Sequence, residues 1–106
     1  MERFSYDMDN MHIVCRTEEE LKKTVEIGSI FGYLPQCYDT VDKSLEIYLR
    51  RFKQIKSENK KAALVFYVNE ETMFTSMYVC EVSHICNKHK IRSYNWLEQV
   101  MLEYVS

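Results

Sequence analysis

The sequence predicts a small α/β domain in two or three layers, with one sheet of about four strands and four flanking helices. The chain of 106 residues, with 46% hydrophobic side chains, is long enough for one core and too short for two. Two glycines and one proline are too few for the tight turns of an all-β sandwich. Segments of helical period and short runs of strand character follow one another along the chain. We therefore expect residues 1–106 to form a single domain.

The first predicted element is an N-terminal hairpin around Asp9 and Asn10. A two-residue loop there pairs Met8 with Met11 and places alternate apolar side chains of both strands on one face. That face consists of Phe4, Tyr6, Met8, Met11, Ile13 and Cys15.

Two helices are predicted next. Thr17 and the three glutamates after it form a capping box, and Gly32 is placed to end this helix in a left-handed conformation. The second helix begins near Asp39 or Thr40, because apolar residues recur from there at spacings of three, four and seven. They are Val41, Leu45, Tyr48, Leu49, Phe52 and Ile55.

The second half of the chain predicts a central strand followed by a third helix. The unbroken apolar run ALVFYV at 63–68 is typical of a strand covered on both faces, which requires helices on both sides of the sheet. Asn69 is placed to cap a helix that extends to about Asn87. Its inner face would include Phe74 and Met77.

A short strand at 91–94 and a last helix end the predicted fold. The strand would run parallel to 63–68 after a right-handed crossover, and Asn95 with Glu98 would cap the helix.

The second half of the chain resembles the end of a BRCT domain. The resemblance lies in a strand ALVFYV, a helix and then HKIRSYNWLEQVM, with Trp96 and Leu97. Small phage-encoded α/β proteins have similar endings. The BRCT resemblance implies phosphopeptide binding. The first half departs from that family's pattern, since Tyr33 occupies the place of one of its paired glycines.

Four potential zinc ligands lie within ten residues. On the predicted third helix, Cys80 and His84 share one edge, whereas Cys86 and His89 project from another, so the four cannot converge on one tetrahedral ion. We therefore expect no metal site and no cofactor.

The string CNKHKIRS at 86–93 resembles the signature loop of cysteine-dependent phosphatases. The resemblance implies Cys86 as the nucleophile and Arg92 as the group that binds the phosphate oxygens. The five residues between them include no glycine to form an anion-binding loop.

The segment RRFKQIKSENKK at 50–61 carries six cations against one glutamate. Its cations could neutralise several phosphates of a nucleic acid, and Arg50, Arg51, Lys53 and Lys56 are the candidate contacts. The same pattern is also that of the solvated face of an amphipathic helix, and an isoelectric point of about 5.9 is unusual for a dedicated nucleic-acid binder.

The loop after Gly32 is rich in apolar and aromatic residues. Tyr33, Leu34 and Tyr38 are costly to expose, so they either pack over the core or contact a partner protein.

The sequence indicates a cytoplasmic protein without membrane contact. No apolar run approaches the length of a bilayer span, and the first ten residues lack the layout of a signal peptide. The four cysteines, none in a Cys-x-x-Cys pair, are expected to stay reduced there.

None of these groups of residues combines a nucleophile with a general base within hydrogen-bonding reach and an anion-binding site. By elimination, the leading hypothesis is a non-enzymatic protein-binding module, in the style of a small regulator or inhibitor encoded by a phage or mobile element. Two alternatives stay open: nucleic-acid binding through the basic helix at 50–61, and a phosphatase-like enzyme that uses Cys86 and Arg92.

Overall fold

The computed structural model describes residues 8–35, 41–85 and 89–105. They contain five strands, three helices and a short 3-10 turn at Val82–His84. The strands are β1 (Met11–Cys15), β2 (Leu34–Pro35), β3 (Ala62–Val68), β4 (Thr75–Glu81) and β5 (Lys90–Ser93). The helices are α1 (Glu18–Ile30), α2 (Val41–Ser57) and α3 (Tyr94–Val105).

The strands form one mixed sheet in the order β2-β4-β3-β1-β5. β3 is antiparallel to β1 and β4, whereas β5 is parallel to β1 and β2 is parallel to β4. Four of the strands have four residues or more, and β2 has two. The predicted α/β class, the sheet of about four strands and the central position of the strand at 63–68 are confirmed. The predicted number of helices is wrong, since the described residues contain three instead of four.

The third predicted helix is replaced by β4, which pairs with β3 along seven residues. The reason is the turn at Asn69. Its side-chain oxygen accepts hydrogen bonds from the backbone N–H groups of Glu71 and Thr72, and its own N–H donates to the carbonyl of Phe74. Asn69 therefore closes a β-hairpin instead of capping a helix.

The predicted N-terminal hairpin is also not formed by β1. The turn at Asp9 and Asn10 is present, because the N–H of Met11 donates to the carbonyl of Met8 at 3.2 Å. However, β1 pairs with β3 on one edge and with β5 on the other, which leaves no edge for a hairpin partner. Residues 4–7, which would form most of the predicted first strand, lie outside the described residues.

The short strand after β4 is confirmed at Lys90–Ser93, but its predicted neighbour is wrong. It pairs with β1 instead of β3 and lies at the edge of the sheet. The last helix begins at Tyr94, and the N–H of Trp96 donates to the hydroxyl of Ser93 at 3.3 Å, so Ser93 takes the capping role predicted for Asn95.

Both predicted ends of α1 are confirmed. The hydroxyl of Thr17 accepts a hydrogen bond from the N–H of Glu20, and Gly32 has a φ of +90°. Beyond the helix, Tyr33 N–H donates to the carbonyl of Gly28, and Gly32 N–H donates to that of Ser29. This pair of bonds is the Schellman motif, which requires the left-handed glycine.

All three helices pack on one face of the sheet, which we call the helix face. Its core joins side chains of α1, α2 and α3 to alternate residues of β1, β3 and β4. The prediction of helices on both faces is therefore wrong for the described residues. On the opposite face, the second face, His12, Ala63 and Val65 are buried, whereas Tyr67, Tyr78 and Cys80 are half-buried.

Candidate functional site

Tyr33, the first residue of the predicted interaction loop, lies in the core. Its ring centroid is 5.0 Å from that of Phe66, and its hydroxyl donates a hydrogen bond to a carboxylate oxygen of Asp9. Only 4% of Tyr33 is exposed. The structure thus gives Tyr33 the packing role that the sequence left open. The backbone of Leu34 belongs to β2, and Tyr38 lies outside the described residues.

The basic side chains of α2 point in different directions. At about 100° per residue, Arg51 and Lys56 project about 140° apart, and Arg50 lies between them on the outer side. Lys53 is 3.6 Å from a carboxylate oxygen of Glu18, so part of the positive charge is already paired. A shallow depression of about 360 Å³ beside Arg50 and Lys53 also includes an acidic side chain; its lining is Glu46, Leu49, Arg50 and Lys53. Arg50, Lys53 and Lys56 thus lie within about 120° of one another on the outer side of the helix, where Glu18 and Glu46 accompany them.

Arg92 and Ser93 lie in a strand and not in an anion-binding loop. The backbone of both pairs with β1, and the guanidinium of Arg92 lies 5.6 Å from the centroid of the Trp96 ring. Cys86, the nucleophile of the phosphatase alternative, lies outside the described residues. The order strand, helix and short strand, on which the BRCT resemblance depends, is also not formed, because β4 takes the place of the helix.

A row of three polar side chains crosses the second face. The Nε2 atom of His12 lies 2.8 Å from Nδ1 of His89, and the Nδ1 atom of His12 lies 3.8 Å from Sγ of Cys80. Burial, together with the neighbouring His89, lowers the pKa of His12 to about 4, and burial raises the pKa of the Cys80 thiol. At neutral pH the row therefore holds a neutral imidazole beside a neutral thiol, and not the thiolate of an activated cysteine.

The remaining candidate metal ligands are dispersed. His84 follows β4, and its Nε2 atom is 2.9 Å from a carboxylate oxygen of Glu81. Within residues 8–35, 41–85 and 89–105, no group of three or more His, Cys, Asp or Glu side chains is arranged to hold a metal ion.

One end of the molecule is held together by charged and polar side chains. Nζ of Lys60 lies 3.1 Å from the buried carboxylate of Glu81, and this contact lowers the pKa of Glu81 and joins the segment after α2 to the end of β4. At the same end, Arg16 bridges the carboxylate of Glu20 and the amide oxygen of Asn95. These contacts are structural, because they connect neighbouring elements.

The loop between β3 and β4, residues 69–74, has the opposite character. It ends in Met73 and Phe74, whose side chains are 72% and 68% exposed. The loop is nevertheless ordered by its own hydrogen bonds: Met73 N–H donates to the Asn69 carbonyl at 2.7 Å, and Phe74 N–H donates to the Thr72 hydroxyl. Met73 has a φ of +61°, a left-handed conformation that is costly for a bulky side chain.

Other exposed apolar side chains lie at the same end as this loop. The hydroxyl of Thr75 donates to the carbonyl of Gly32 at 2.7 Å, so β4 starts beside the end of α1. The rings of Phe31 and Tyr104 are 5.1 Å apart, so α3 ends there as well. We call this end the apolar end and define it by five segments: the Asp9–Asn10 turn, 27–32, the loop 69–74, His89–Lys90 and 102–105. Of the six large hydrophobic side chains that are exposed in the described part of the chain, five belong to it: Ile30, Met73, Phe74, Leu102 and Val105.

Comparison of the chain with protein-family models, with curated proteins and with solved structures finds no match. In the described part of the chain, no helix has both the length and the apolar character to cross a membrane.

Proposed function

We propose that this protein is a non-enzymatic protein-binding module, a small regulator or inhibitor, and that it binds its partner through the apolar end. The observation that carries the proposal is the exposure of Met73 and Phe74 on a loop that fixes its own backbone. Methionine and aromatic side chains are enriched at protein interfaces. Burial of each such side chain contributes about 1.5–3 kcal/mol. The folded chain alone does not gain this free energy, because both side chains are exposed, whereas a complex that buries them would gain it.

The rigidity of the loop supports the same proposal. The bonds from Asn69 and Thr72 hold the loop backbone before any partner arrives. A partner then orders few additional torsions on binding, so more of the burial free energy contributes to affinity. The strained φ of Met73 adds to this argument, because strain persists where the surrounding structure imposes it and is concentrated at functional sites.

The test is a comparison of proteins captured by tagged variants from nuclease-treated lysate of the cell that encodes the protein. Met73→Ser/Phe74→Ser removes both apolar side chains of the loop. Ile91→Ser is the matched control, because Ile91 is 43% exposed but lies on β5, outside the apolar end. We expect a stoichiometric partner with the wild type and the control, and a loss of at least about tenfold with the double variant, since each anchor contributes more than 1.4 kcal/mol. Equal capture by the double variant, or capture that disappears with nuclease, would contradict the proposal.

A further inference from the structure

In its described segments, the apolar end has more acidic than basic side chains. Glu70 and Glu71 are exposed in the loop itself, Asp9 lies in the turn before β1, and Glu103 lies in the last turn of α3. Against these four carboxylates, the described segments that form this end contain one lysine, Lys90. The exposed apolar side chains are therefore bordered by acidic ones.

The backbone adds to this charge. α1 ends at the apolar end, and so does α3. The carbonyl end of a helix carries about half a negative charge, which a basic residue in the last turn usually offsets. Neither α1 nor α3 has a basic residue in its last turn. The acidic side chains and the carbonyl ends of α1 and α3 thus lie at the same end of the molecule.

We propose that the apolar end binds a protein surface in which an apolar pocket is bordered by lysine or arginine side chains. This proposal rests on the protein-binding function proposed above. Met73 and Phe74 fill the pocket, and the partner's cations contact Glu70 and Glu71. Opposite charges on the two surfaces accelerate association and align the surfaces before the apolar side chains are buried.

The same charges disfavour other occupants. Nucleic acids and lipid headgroups of acidic membranes are anionic, so the apolar end repels them. In a symmetric dimer of this chain through the apolar end, the same surface meets itself, and Glu70 and Glu71 would face their own copies. A cationic protein surface is the occupant that matches both the apolar and the acidic groups.

The experiment uses the protein captured from lysate, purified after its identification by mass spectrometry, as the binding probe. Its association rate constant with the wild type is measured by biolayer interferometry in about 50 mM and about 500 mM salt, because salt screens long-range attraction. We expect the constant to fall about tenfold or more between them. Glu70→Lys/Glu71→Lys should lower it by about tenfold in low salt and approach the wild type in high salt. The matched control, Glu19→Lys/Glu58→Lys, makes the same change of charge at exposed positions at the opposite end of the molecule and should behave as the wild type.

Failure of this inference differs from failure of the proposed function. Association that is independent of salt and unchanged in Glu70→Lys/Glu71→Lys, but abolished by Met73→Ser/Phe74→Ser, overturns the cationic partner and leaves the binding module standing. Absence of any captured protein overturns both proposals. A dimer of the purified wild-type chain in analytical ultracentrifugation that Phe74→Ser dissociates identifies a second copy as the occupant and overturns the cationic partner.

Discussion

Met73 combines a strained backbone conformation with an exposed side chain in the proposed binding surface. A left-handed φ costs a bulky residue on the order of 1 kcal/mol or more, and glycine adopts it without this cost. Met73→Gly is therefore expected to raise the free energy of unfolding by about 0.5–1 kcal/mol, while it weakens partner capture by about tenfold. Urea unfolding and the capture assay measure the two effects.

Asn59→Gly is the control for this prediction. Asn59 also has a positive φ, of 62°, but lies after α2, far from the apolar end. Its replacement is expected to change stability by less, because asparagine tolerates this conformation, and to leave capture unchanged. A Met73→Gly protein that loses stability would show that the exposed side chain packs on the fold.

Single residues also show where the sequence was informative about the candidate site. Thr17 and Gly32 were predicted correctly, because a cap and a left-handed glycine depend on bonds within a few residues. The sequence did not show that Tyr33 is buried and Phe74 exposed, since burial depends on which residues from distant parts of the chain pack against a side chain. Phe66 covers Tyr33, and nothing in the sequence around residue 33 indicates this contact.

At the scale of elements, β4 shows the limit of local pattern. Asn69 is as suitable for a turn as for a helix cap, and Phe74, Met77 and Tyr78 fit a helical spacing as well as a strand. Residues 75–81 form a strand because all seven of them pair with the edge of β3. The alternation of Tyr78, Cys80 and Val82 is compatible with a strand but does not by itself distinguish one from a helix.

α1 packs closely on the sheet at Gly28. A Cβ atom at Gly28 would lie 2.5 Å from Sδ of Met77 and 2.6 Å from Cε1 of Phe66. Gly28→Ala should gain about 1 kcal/mol of helix propensity, yet the overlap forces α1 away from the sheet. We expect a net loss of about 1–3 kcal/mol in the free energy of unfolding, measured in urea.

Ser29→Ala is the matched control in the same helix turn. It removes one half-buried hydrogen bond to the carbonyl of Val25, and apart from that loss it should change the free energy of unfolding by less than about 0.5 kcal/mol. If Gly28→Ala were more stable than the wild type, the close contact between α1 and the sheet would be wrong. That result would also question the shared position of the α1 end and the β3–β4 loop, on which the apolar end depends.

At the scale of the whole molecule, the sequence predicted the class and the approximate strand count but not the layer arrangement. An apolar run such as ALVFYV indicates burial of both faces, and β3 is in fact buried along 62–66. It does not indicate what covers each face, because that depends on strand order. The apolar end has the same origin, since it brings together residues that are up to 96 positions apart.

His12, on the second face, contributes to the response of the whole molecule to acid. The pKa of His12 is about 4 in the folded protein and near 6.5 in an unfolded chain, because folding buries the imidazole beside His89 and Cys80. Between these two values the unfolded state binds a proton that the folded state does not, so stability falls as the pH is lowered from about 6.5 to about 4. From pH 7.5 to pH 5.0 this one group should remove about 2 kcal/mol from the free energy of unfolding.

His12→Gln isolates this effect from that of the carboxylates, since it keeps a polar side chain but removes the titration. Urea unfolding at both pH values should show a smaller fall for His12→Gln than for the wild type, by about 2 kcal/mol. If the two proteins lost stability equally, His12 would not be the buried neutral imidazole that the second face shows. His12 lies on the second face and is not part of the loop 69–74. His12→Gln should therefore still capture the partner at pH 7.5, which separates the acid response of the fold from its proposed binding function.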